Sequence, residues 1–129
     1  MTGVQTCALP ISNLNFGTVG ILSANFDSTN TVTVKCSNST PYNIGLNEGN
    51  GTGATVAARK MTSGAKTVTY SLYQNSGRTT VWGNTIGSNI VTGTGTGSNQ
   101  VLTVFGRVPA QTTPTPATYT DTVVVTVTY

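Results

Sequence analysis

The sequence predicts an all-β protein built as a two-sheet sandwich, and three observations carry that prediction. The composition is dominated by β-branched and turn-forming residues, with 27 Thr, 15 Val, 15 Gly, 12 Asn and 10 Ser among 129 residues. The helix formers Leu, Glu and Lys are scarce. Apolar residues recur at every second position in several stretches, the period of a strand with one buried face. Finally, no window sustains a 3.6-residue apolar period, and no apolar run approaches the roughly 18 residues of a membrane span. A chain of this length forms one domain and can bury roughly two thirds of its unfolded surface.

Seven short strands follow from the pattern. The first covers Leu14 to Val19. In the second, Val32, Val34 and Cys36 alternate with Thr31, Thr33 and Lys35. Tyr42 to Leu46 is the third. In the fourth, Val68, Tyr70 and Leu72 alternate with Thr67, Thr69, Ser71 and Tyr73. Thr79 to Trp82 and Val101 to Val108 come next. In the last, Val123, Val125, Val127 and Tyr129 share one face, and Thr122, Val124, Thr126 and Thr128 the other. Turn-rich stretches at Asn47–Gly53, Gly93–Asn99 and Thr112–Thr118 separate them, and the TGTGTG run at Thr92–Gly97 reads as a low-complexity loop. Pro109, Pro114 and Pro116 fall before the last strand, where no ladder hydrogen bond is required.

The same composition argues against catalysis. Charged residues make up 7 %, histidine is absent, and Asp27, Glu48 and Asp121 are the only side-chain carboxylates. General acid–base work and His-ligated metals therefore lack their groups, and no enzyme, cofactor or metal site is expected. Asp121 reads as a carboxylate that caps backbone amides in the turn before the last strand. The net charge of +3 reflects few acids, because the six Lys and Arg are scattered. Nucleic-acid binders concentrate such residues on one face, so neither nucleic acid nor a small-molecule substrate is expected as partner.

Three motifs have ordinary readings. Gly49, Gly51 and Ala54 fit a dinucleotide fingerprint, but the required helix and downstream acid are missing, which leaves a flexible loop. Asn38-Ser39-Thr40 and Asn50-Gly51-Thr52 are sequons of the kind that Asn- and Thr-rich chains contain by chance. Trp82, Tyr42, Tyr70 and Tyr73 either fill a core or form a platform for sugars; core filling is favoured.

Residues 1–11, MTGVQTCALPI, fit nothing that follows. They lack the basic start and apolar run of a signal peptide and match the translation of a sequencing adapter. We read them as a non-native segment, with residues 12–129 as the single domain. The two cysteines, Cys7 and Cys36, either form one disulfide or remain unpaired thiols.

FGRVPAQ at 105–111 followed by YTDTVVVTVTY at 119–129 resembles the signature of the spore coat protein U domain family, which includes the major subunits of archaic chaperone–usher pili. Further matches run in the family's order: NFGTV at 15–19, TVTVKCS at 31–37, ARKM at 58–61, VTYSLYQN at 68–75 and RTTVWGN at 78–84. The motif positions are Phe16, Gly17, Tyr70, Trp82, Gly83, Phe105, Gly106, Tyr119 and Asp121. Ala117-Thr118 stands where the family usually places a Gly before the Tyr.

The resemblance implies an incomplete immunoglobulin-like β-sandwich that lacks one strand and is completed by a donor strand from a neighbouring subunit. It implies a groove lined by Val123, Val125, Val127 and Tyr129, with the Tyr129 carboxylate as an anchor. It also implies a Cys7–Cys36 disulfide. The expected partners are identical or related pilin subunits, a periplasmic chaperone and an outer-membrane usher, and the expected location is the cell surface, reached through the periplasm. The implied function is a pilus subunit polymerising by donor-strand exchange, for adhesion and biofilm formation. The alternatives are a secreted coat or matrix protein with the same domain, and a self-sufficient carbohydrate-binding module using Trp82 and the tyrosines. The segment before Cys7 offers no donor strand of its own.

Overall fold

A computed structural model describes residues 6–9 and 13–129. The expected boundary between residues 11 and 12 lies outside them. Among the described residues, eight antiparallel strands form two sheets and no helix occurs. The strands are β1 (Cys7–Ala8), β2 (Phe26–Cys36), β3 (Pro41–Leu46), β4 (Arg59–Ser63), β5 (Lys66–Tyr73), β6 (Val91–Thr94), β7 (Asn99–Val108) and β8 (Val125–Thr128). One sheet has the order β1-β2-β7-β5-β4 and the other β6-β3-β8. The expected all-β sandwich is the fold found.

The longest ladder sets the frame. β2 and β7 pair from Phe26↔Val108 to Lys35↔Asn99, so their side chains stay in phase along ten residue pairs. The two-residue period then places Val32, Val34 and Cys36 of β2 and Val104 and Val108 of β7 in the core. β5 adds Val68, Tyr70 and Leu72, and β3 supplies Tyr42, Ile44 and Leu46 from the opposite sheet. Cys7 and Cys36 are joined by a disulfide that fastens β1 to the end of β2. In the chain-entropy account, closing a loop of that length is worth about 3.5 kcal/mol.

Several local expectations are corrected. Leu14–Val19 is not a strand, because Gly17 takes a left-handed φ of 76° and donates its N–H to Asn15 Oδ1 at 2.7 Å. The segment instead lays Leu14 and Phe16 over Gly106, where a Cβ would meet both side chains. Thr79–Trp82 contributes a single bridge, Tyr73↔Val81. Its start is bent by Asn75, whose Oδ1 accepts from the backbone N–H groups of Thr79 and Thr80.

The TGTGTG run is half strand: Val91–Thr94 pairs with β3 as β6. Gly93 faces the Tyr42 ring and Gly95 packs on Cys36, so glycine here makes room for close packing. β4 escaped the alternation signal because it opens with two cations, Arg59 and Lys60, one of them buried.

On the surface, Arg107 grips Asp27 with two hydrogen bonds of 2.8 and 3.0 Å, and Arg78 approaches the same carboxylate at 3.5 Å. The hydrogen bond from Arg107 is the main reason that Asp27 ionises below the ordinary aspartate range. A lowered carboxylate pKa stabilises the fold above the unfolded-state value, and that contribution is lost as pH falls through the folded one. Wild type should therefore melt slightly higher than Asp27→Asn at neutral pH, with the gap closing in acid. The gap is small because the pair is exposed. Thermal melts of both proteins across pH check this; a gap undiminished in acid would contradict it.

Candidate functional site: the open edge of the last strand

Among the described residues, β8 pairs with β3 alone. The register runs Asn43↔Thr128, Ile44↔Val127, Gly45↔Thr126 and Leu46↔Val125. One step further on, Asn47 N–H donates to the Val124 carbonyl at 3.1 Å. Bonded and non-bonded pairs alternate along an antiparallel ladder, so Thr126 and Thr128 exchange hydrogen bonds with Gly45 and Asn43. The N–H and C=O groups of Val125 and Val127 therefore point away from β3, along the edge.

The side chains of the same residues line the inner face. Val123, Val125 and Val127 pack against the core yet stay half-buried, whereas Ile44, opposite Val127, is 0 % exposed. Leu14, Phe16 and Val19 are likewise only half-buried against the core. The core is thus thinly covered by the three valines of β8, which has no outer neighbour among the described residues. Tyr129, grouped with the three valines by alternation, lies past the end of β8 and is 60 % exposed.

The start of β8 is held by polar side chains. Asn47 Oδ1 accepts from Val124 N–H at 2.9 Å and from Gly49 N–H at 3.0 Å. Asp121 Oδ1 accepts from the amides of Asn50 and Thr122, both at 2.8 Å, and its Oδ2 accepts from the Tyr70 hydroxyl at 2.6 Å. Burial, together with this hydrogen bond, raises the Tyr70 phenol far above its ordinary range. Asp121 thus caps backbone amides, as its position before the last strand suggests. The fingerprint residues Gly49 and Gly51 lie in the loop that it clamps, and Gly49, at φ 81°, leaves no room for a Cβ beside the carboxylate.

The remaining motif residues are packing positions. Phe16 meets Tyr70 edge-on at 6.2 Å, and Gly106 lies beneath Phe16. Trp82 is 1 % exposed and donates its indole N–H to the Ile44 carbonyl at 2.8 Å. Tyr42 and Tyr70 are buried as well and Tyr73 is half-buried, so these four side chains form no exposed platform for a sugar. Gly83 accepts from Leu46 N–H, and Asn89 occupies the space where its Cβ would lie. Phe105 faces outward under Arg78, whose guanidinium sits 5.6 Å from the ring centroid. Tyr119 donates its hydroxyl to the Thr115 carbonyl at 2.5 Å.

The profile of the Spore Coat Protein U domain family matches residues 1–126. This chain belongs to that family. A solved structure of the CsuC–CsuE chaperone–tip adhesion subunit pre-assembly complex, from archaic chaperone–usher Csu pili of Acinetobacter baumannii, is similar to it. The two share 27 % identity at a TM-score of 0.72, over 99 % of this chain and 40 % of that one. The chain thus spans less than half the length of its structural neighbour. A search of curated proteins found no match.

In this Spore Coat Protein U domain, the residue least legible from sequence is Arg59. It is 0 % exposed, and its guanidinium donates to four carbonyls: Asn47, Val56, Leu46 and Trp82, at 2.8–2.9 Å. Desolvation lowers its pKa, opposed by the nearby Tyr70, Asp121 and Glu48. Removing it strands buried acceptors, each costing about 1–3 kcal/mol. Arg59→Met should lose about 3–5 kcal/mol in urea unfolding, in the range for breaking a buried charged network. A loss under about 1 kcal/mol would show that water replaces the guanidinium.

Proposed function

We propose that this domain is a structural subunit of an archaic chaperone–usher pilus and that the open edge of β8 accepts a donor strand. The observation that carries the reading is the coincidence on Val125 and Val127 of outward-pointing backbone groups with half-covered inward side chains. An extended segment laid along β8 would pair those backbone groups, and its alternate apolar side chains would cover the three valines. Completing the burial of half-covered valines contributes roughly 1 kcal/mol each, and ordering the backbone pairs adds to it.

In this reading the groove is filled twice. A periplasmic chaperone covers it first, which protects an apolar edge that would otherwise aggregate. A neighbouring subunit's extension replaces the chaperone at an outer-membrane usher, and the fibre emerges at the cell surface for adhesion and biofilm formation. Family membership and the likeness to a pilus subunit held by its chaperone support this assignment.

The test is co-expression in a bacterial periplasm with the chaperone and usher of such a pilus system. Wild type should be recovered as a one-to-one chaperone complex and assembled into fibres. Val125→Asp, which places a charge in the groove, should abolish assembly, whereas Thr126→Ser on the opposite face should not. Normal fibres from Val125→Asp would sink the groove assignment. A sharply melting monomer obtained without a chaperone would instead favour a coat or matrix role.

A further inference from the structure

We propose that Asn50–Gly51 is a site of spontaneous deamidation that acts on the clamp at the start of β8. Among the chain's 12 asparagines, Asn50 alone precedes a glycine. Cyclisation requires the next residue's backbone nitrogen to reach the side-chain amide carbon, and a missing Cβ removes the main steric obstacle. Asn50 is exposed, and among the described residues no hydrogen bond holds its side-chain amide or the Gly51 N–H. Three other loop asparagines differ: the side chains of Asn47, Asn75 and Asn89 are each tied by hydrogen bonds to backbone amides.

The chemistry is self-contained. The Gly51 nitrogen attacks the Asn50 side-chain carbonyl carbon, a C–N bond forms, and ammonia leaves with the proton that the nitrogen gives up. Water then opens the cyclic imide at one of its two carbonyls. The product is aspartate, or isoaspartate with the main chain rerouted through the side chain.

The site has a structural consequence. The backbone N–H of Asn50 is one of the two amides held by Asp121 Oδ1, and the other Asp121 oxygen holds Tyr70. Either product adds a carboxylate beside Asp121, and isoaspartate also lengthens the backbone at that contact. Meanwhile Gly51 lies so close to Lys60 that a Cβ there would strike its backbone. The added charge and the rerouted main chain both fall at the Asp121 contact, so the clamp on Thr122 and Tyr70 is expected to loosen.

Folded wild-type protein incubated at physiological temperature in heavy-oxygen water, then peptide-mapped, tests the site. Asn50 should acquire the amide-to-acid mass change faster than any other asparagine. Asn50→Ser should leave only the slow background. Faster conversion at any other asparagine, or none at Asn50, would overturn the site assignment. The aged fraction, separated by charge, should melt below fresh protein. Identical melting would overturn the link to the Asp121 clamp.

Discussion

A strand edge carries unpaired N–H and C=O groups, and a protein must pair, cover or solvate them. In this domain β8 is the edge strand where that constraint meets a half-covered core. Among the described residues the strand has one neighbour, β3, and turns its other edge outward at the two residues whose side chains also face the core. Backbone pairing and apolar burial are therefore incomplete at the same place, and one extended segment satisfies both. In the proposed reading the missing element is a strand and not the occupant of a pocket, so the ligand would be more sheet.

Such an edge is useful only if the strand that carries it is held still. Three side chains do this from one end. Asn47 bonds the amide of Val124, Asp121 bonds those of Asn50 and Thr122, and Arg59 collects four carbonyls from the segments around them. Tyr70 ties this group to the opposite sheet through its hydroxyl. The charged residues of the chain are few, yet two of them, Arg59 and Asp121, place their hydrogen bonds around the start of β8.

Much of this was legible in the sequence, for a physical reason. The period-two pattern in Thr31–Cys36, Thr67–Tyr73 and Val101–Val108 survives because each strand has one face on the core, and each is found in the fold. The apolar face of Val123, Val125 and Val127 was readable for the same reason. Where side chains do not alternate by polarity, the signal fails. β6 is written in Thr and Gly because Tyr42 already fills its inward space, and β4 opens on a buried cation. Arg59 could not be singled out, since its partners are main-chain carbonyls that leave no trace in residue identity. The segment Leu14–Val19 shows the converse: its apolar alternation is real and its side chains do pack, but Gly17 turns the backbone out of the sheet.

Amide hydrogen exchange along β8, resolved residue by residue by NMR, tests the central claim most directly. The amides of Thr126 and Thr128 donate to β3 and should be protected, while those of Val125 and Val127 point along the open edge and should exchange rapidly. Addition of a strand-forming partner should then protect Val125 and Val127 selectively. Equal protection of all four amides in the isolated domain would mean that the edge is already paired, and the account of an incomplete sandwich would be wrong.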